Sequence, residues 1–155
     1  MTTVDRAKLN DLFDMGERMA RASMEKLGRV EGCFLALTGK GETATCPALW
    51  RDEDEKVAIL KALKVLFRDQ DVVAYVAFSE VWMATAKAGD TRMPSERDDR
   101  TEGLFITLCV KGVEHPEVRQ FTIDRPFDGS PPTLIPAPLI DGATVGGRLT
   151  TLLDD

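Results

Sequence analysis

The chain holds a single histidine, one tyrosine, two tryptophans and three cysteines, and aromatic residues make up only 6% of it. One imidazole excludes zinc sites built on two or three histidines, and it leaves any Ser-His-Asp or Cys-His relay a single base. That base, His115, lies in Gly112-Val113-Glu114-His115-Pro116, a turn-forming stretch between two apolar runs, so a solvated hairpin tip is expected. Cys33, Cys46 and Cys109 are odd in number and widely spaced, which matches neither a secreted disulfide framework nor a zinc motif. Free, packed thiols are expected instead. Basic charge is short as well: 20 Lys and Arg against 26 Asp and Glu leave a net charge of −6 at pH 7. Such a surface is not drawn to a nucleic-acid backbone or to an anionic membrane. The longest apolar run, Val72 to Phe78, is too short to cross a bilayer, and Met1 to Arg6 lacks the pattern of a secretory leader. The expectation is therefore a cytoplasmic protein with no nucleic-acid and no membrane partner.

What is present reads as a folded domain: 155 residues, 43% of them hydrophobic and 30% charged. From Val4 to Leu27, Leu9, Leu12, Phe13, Met19, Ala20, Met24 and Leu27 recur at helical spacing, with Gly28 as the stop. Gly16 inside that helix costs about 1 kcal/mol relative to alanine. Gly32 to Thr38 and Thr43 to Trp50 read as strands joined through Gly39-Lys40-Gly41-Glu42. The Gly-Lys-Gly is a hairpin turn and not a phosphate loop, because a strand follows where a helix N-terminus would be needed. Asp52 with Glu55 forms a capping box for a second helix, from about Asp54 to Arg68, whose apolar face is Ile59, Leu60, Leu63, Leu66 and Phe67.

Val72 to Met83 is the strongest strand signal, apolar on both faces in its first half. Leu104 to Val110 and Val118 to Ile123 follow as an antiparallel pair across the His115 turn. Beyond Asp124 the prolines at 126, 131, 132, 136 and 138 predict an extended segment without a regular ladder. The organisation expected is an α+β domain over 1–125, with a mainly antiparallel sheet of about five strands and two helices in the order α-β-β-α-β-β-β, followed by a Pro/Gly-rich extension over 126–155 packed on its surface. This element order resembles that of profilin-like and roadblock-type modules, in which helices sandwich an antiparallel sheet.

The candidate site centres on Glu80, a carboxylate in a strand expected to be buried, where it needs a partner or a raised pKa. The connection from Lys87 to Arg100 is long and charged, and Arg97 or Arg100 is the expected partner. Trp82 has the same strand parity as Glu80 and shares its face. The strand Ser79-Glu80-Val81-Trp82-Met83 and the loop Pro94-Ser95-Glu96-Arg97-Asp98-Asp99-Arg100-Thr101-Glu102 resemble an uncharacterised bacterial family with a Ser-Glu-x-Trp strand and a Pro-Ser-Glu-x-x-x-Arg-x-Glu loop. That resemblance brings no activity with it. The binding residues expected are Glu80, Trp82, Ser95, Glu96, Arg97, Arg100 and Glu102, with no catalytic residue, no metal ligand and no cofactor assigned. A non-catalytic interaction or scaffold module, with a protein or a second copy as partner, is the leading reading. The alternatives are a hydrolase or metal-assisted enzyme that acts on an anionic substrate through Glu80 and the loop, and a small-ligand sensor with a cavity lined by Tyr75, Trp82 and Phe105.

Overall fold

Helix α1 (Arg6–Leu27) begins where the Asp5 carboxylate accepts the Ala7 N–H at 3.0 Å, which satisfies one of the donors left over at a helix start. It ends at Gly28, whose φ of 71° is the left-handed conformation glycine supplies at no steric cost, and whose N–H bonds the Met24 carbonyl at 2.9 Å. Leu9, Leu12, Phe13, Gly16, Ala20 and Met24 form its buried stripe. The computed structural model describes residues 4–83, 89, 91, 92, 96, 98, 101–137 and 152–154.

Strands β1 (Cys33–Thr38) and β2 (Thr43–Pro47) form the expected hairpin, closed by a bond from the Thr38 N–H to the Glu42 carbonyl and by Gly41 at φ 87°. Helix α2 (Glu53–Asp69) starts at Asp52, whose side chain accepts the Glu55 N–H at 2.8 Å, as the capping box predicts. Only Leu60, Leu63 and Phe67 of α2 are buried. Leu66, expected in the core, is 44% exposed: α2 meets the sheet along a narrow line, and Phe67, one position on, takes the inward-facing place.

Four more strands follow: β3 (Val72–Met83), β4 (Thr101–Val110), β5 (Glu117–Asp124) and β6 (Thr133–Ala137). All six pair antiparallel in the order β2-β1-β3-β4-β5-β6. The α+β class and the two helices are as expected, but among the described residues the sheet has six strands where about five were predicted. The sixth comes from the proline-rich stretch read as unable to form a ladder. As an edge strand β6 needs a partner on one side only, which is the sheet position proline tolerates. Leu134, opposite Ile123 and only 4% exposed, anchors it.

Strand alternation divides the core in two. On the α1 side, Leu35, Leu37, Ala74, Val76, Leu104, Ile106 and Phe121 pack against the α1 stripe. On the α2 side, Phe34, Phe67 and Tyr75 stack edge-on or tilted, with centroids 5.4 to 6.4 Å apart. The sheet is thus covered by one helix on each face. Cys33 and Cys46 are half-buried, Cys109 is buried, and all three are free.

Candidate functional site

Past Phe78 the β3 row that faces α1 runs on to Glu80 and Trp82, beyond the reach of the helix. Glu80 is consequently exposed, a correction to the expectation that it is buried. Its Oε1 accepts the Val30 N–H at 2.7 Å, so it fastens the link between α1 and β1 to the sheet. Trp82 stands opposite Glu102 across the β3–β4 ladder, which puts both on the same face. Glu102 reaches Arg125, whose Nε donates to its Oε2 at 2.5 Å, while Arg125 Nη1 donates to the Gly28 carbonyl at 2.9 Å. The hydrogen bond that Arg125 donates to Glu102, and then the charges of Glu102 and Glu80, raise the Arg125 pKa further and keep the guanidinium protonated. A cation against the last carbonyls of α1 also complements the helix dipole. The groove here is about 200 Å³ and is lined by Glu80, Val81, Trp82, Glu102, Gly103 and Ile123.

Three predicted residues therefore gather: Glu80, Trp82 and Glu102. Glu96 is exposed, and Ser95, Arg97 and Arg100 lie outside the described residues. Arg125 escaped the sequence reading. The signal was the hairpin register: with Gly103 opposite Thr122, Ile123 comes level with Glu102, and Arg125 lies two residues beyond Ile123.

A second groove, of about 210 Å³, opens between α1 and the β1–β2 hairpin, with Met19, Val30, Cys33, Pro47, Leu49 and Phe78 among its walls. Thr45 and Pro47, opposite Leu35 and Cys33, belong to the α1 face and border it. Leu49 is 67% exposed at its mouth. Burial first, and then the Glu31 charge, push the Cys33 thiol above its ordinary range, which leaves it a poor nucleophile near neutral pH. Strand β2 itself forms one edge of the sheet and pairs, among the described residues, only with β1.

Comparison with known proteins finds no match, whether to a family model, a curated protein or a solved structure.

Among the described residues no three His, Cys, Asp or Glu side chains are placed to hold a metal ion. His115 is exposed on the β4–β5 turn, away from both grooves. Tyr75 and Phe105 face the α2 side and Trp82 the α1 side, so these three aromatics do not line one cavity. Among the described residues no helix is long and apolar enough to cross a membrane.

Proposed function

We propose that this protein is a non-catalytic interaction module that takes an extended, uncharged segment of another polypeptide along β2. The observation that carries this reading is an exposed strand edge, Thr43-Ala44-Thr45-Cys46, without charge and lying beside an apolar groove. Sheet edges left open to water are usually blunted by lysine, proline or a bulge. The opposite edge, β6, carries Pro136 in its interior, whereas β2 has its proline only at the last position. A strand added to β2 draws affinity from the main chain and specificity from alternate side chains. Every second side chain of such a strand falls beside Thr45 and Pro47, over the groove that Met19 and Leu49 border. The charges at the other groove support the same reading, since Glu102 is committed to Arg125 and Glu80 to the Val30 N–H.

The test selects seven-residue peptides from a displayed random library on the full-length protein. The expected binders alternate apolar residues, shift the amide resonances of Thr43 to Cys46, and lose affinity for Thr45→Lys, which puts a charge on the edge without touching the core. Binders indifferent to Thr45→Lys would overturn the proposal. A concentration-dependent dimer abolished by the same substitution would show that the partner is a second copy of this chain.

A further inference from the structure

The segment Leu152–Asp154 is seated on the α2 side of the sheet. Leu152 is 3% exposed and belongs to the same core as Phe67, Tyr75 and Cys109, and Leu153 packs against that core. The Leu152 N–H donates to the Tyr75 hydroxyl at 3.3 Å. The Tyr75 hydroxyl also contacts the Cys109 thiol, and burial pushes both groups to higher pKa, so they stay neutral and serve as hydrogen-bonding groups at the floor of the notch.

Three cations, Lys64 and Arg68 of α2 and Lys111 at the end of β4, line the notch together with Asp154. With the segment in place the cavity left is about 30 Å³, room for about one water, so the segment fills its site. The site thus offers its occupant an apolar floor for one leucine, a wall for the next, and three cations lining the same cavity as the acid. The floor does not depend on the occupant for its shape. Phe67 and Tyr75 are held by each other and by Phe34, and Tyr75 is fixed in the central ladder between Ala36 and Cys109.

We propose that this notch is a recognition site for short apolar-apolar-acidic peptide segments, filled in cis by Leu152-Leu153-Asp154 and able to take the same chemistry from another polypeptide in its place. The Tyr75 hydroxyl, which accepts a main-chain N–H, and the cationic rim read features that any such segment carries. The site lies on the opposite face of the sheet from the apolar groove beside β2, and the inference does not rest on the β2 reading.

The experiment uses the full chain and a fluorescent peptide Thr-Leu-Leu-Asp-Asp, the sequence of residues 151–155. In Leu152→Asp the tethered segment is expelled and the peptide binds. Wild type binds it at least about tenfold more weakly, because the tethered copy competes at an effective concentration near the millimolar range. Adding Lys64→Glu and Arg68→Glu to Leu152→Asp weakens binding at least about tenfold by reversing the rim charge. Equal affinity for wild type and Leu152→Asp, indifference to charge reversal, or no binding to a cooperatively folded Leu152→Asp chain would each overturn the proposal. If Leu152→Asp does not fold, hydrogen exchange in the wild-type chain answers the same question. Excess peptide should speed exchange at the Leu152 amide while the β3–β4 ladder is unchanged, and an unaltered Leu152 amide sinks the idea. A dimer of the wild-type chain that dissociates on adding the peptide supports the site and identifies a second copy as the source of the segment.

Discussion

Gly16 of α1 lies so close to Val76 of β3 that a Cβ on Gly16 would stand 2.9 Å from Val76 Cγ1. Val76 is fully buried and β-branched, with little freedom to turn away. On an exposed helix Gly→Ala stabilises by about 1 kcal/mol, whereas overpacking a core costs about 1 to 3 kcal/mol. The contact should win. Gly16→Ala is expected to lower stability by about 1 kcal/mol in urea unfolding; a gain in stability would show that α1 is not pressed onto β3.

Arg125 ties three elements together, so its loss should be felt more than that of the exposed carboxylate beside it. Arg125→Ala removes the bonds to Glu102 and to the Gly28 carbonyl and is expected to cost about 1 to 2 kcal/mol, allowing for partial solvent exposure. Glu80→Gln keeps an oxygen that accepts the Val30 N–H and should cost less than about 0.5 kcal/mol. Thermal unfolding of both variants in the same buffer checks the order, and the reverse order would place the clasp at Glu80.

Tyr75 accepts the buried Leu152 N–H. Tyr75→Phe keeps the ring and leaves that donor without its acceptor, which costs about 1 to 3 kcal/mol for a buried group. Unfolding should register this loss, and amide exchange at Leu152 should quicken while the α1-side core is unaffected. Equal exchange in both proteins would mean that the bond does not hold the segment.

Arg6 and Glu117 join α1 to β5 through two contacts of 2.6 Å. The hydrogen bond from Arg6 is the main reason the Glu117 carboxyl titrates below its ordinary 4.5. A depressed carboxyl contributes stability above its unfolded pKa and loses it as pH falls through the folded one. Wild type should therefore exceed Glu117→Gln by a small margin at neutral pH, and the margin should vanish as pH falls below 4.5. Salt should shrink it, because the pair is exposed. A margin that grows with acid would contradict the pairing.

Burial raises the pKa of all three thiols. Iodoacetamide near neutral pH should modify the native protein slowly, at half-buried Cys33 and Cys46 before buried Cys109, and all three at comparable rates once the chain is unfolded. Peptide mapping by mass decides. Rapid labelling of native Cys109 would refute the placement of its side chain.

Much of the architecture was readable from residue spacing. The bounds of β3 at Val72 and Met83 coincide with the predicted ones, and Gly28 and Asp52 end and begin their helices as their chemistry demands. The departures have physical causes. Leu66 satisfied the helical period, but how wide a face α2 buries depends on its approach to the sheet. The prolines hid β6, because pattern alone does not tell an edge strand from a coil. At the candidate site, parity placed Glu80 and Trp82 on one face, but Arg125 reaches Glu102 and the end of α1 through a strand register that joins residues far apart in sequence. The groove beside β2 was invisible for the same reason: its walls come from α1, β2 and β3 and meet only in three dimensions.

The two ends of the sheet are unlike, and this bears on stoichiometry. A protein open at both margins can pass strand addition from molecule to molecule and polymerise without limit. Here the β6 margin carries Pro136, which has no N–H to offer a neighbour, whereas the β2 strand has its proline only at its last position. If β2 takes a strand as proposed, the sheet margins among the described residues give a valency of one for strand addition. Such a molecule, with a guest on β2, would offer no second port among the described residues, so association by this route would end at a pair and work as a chain stopper.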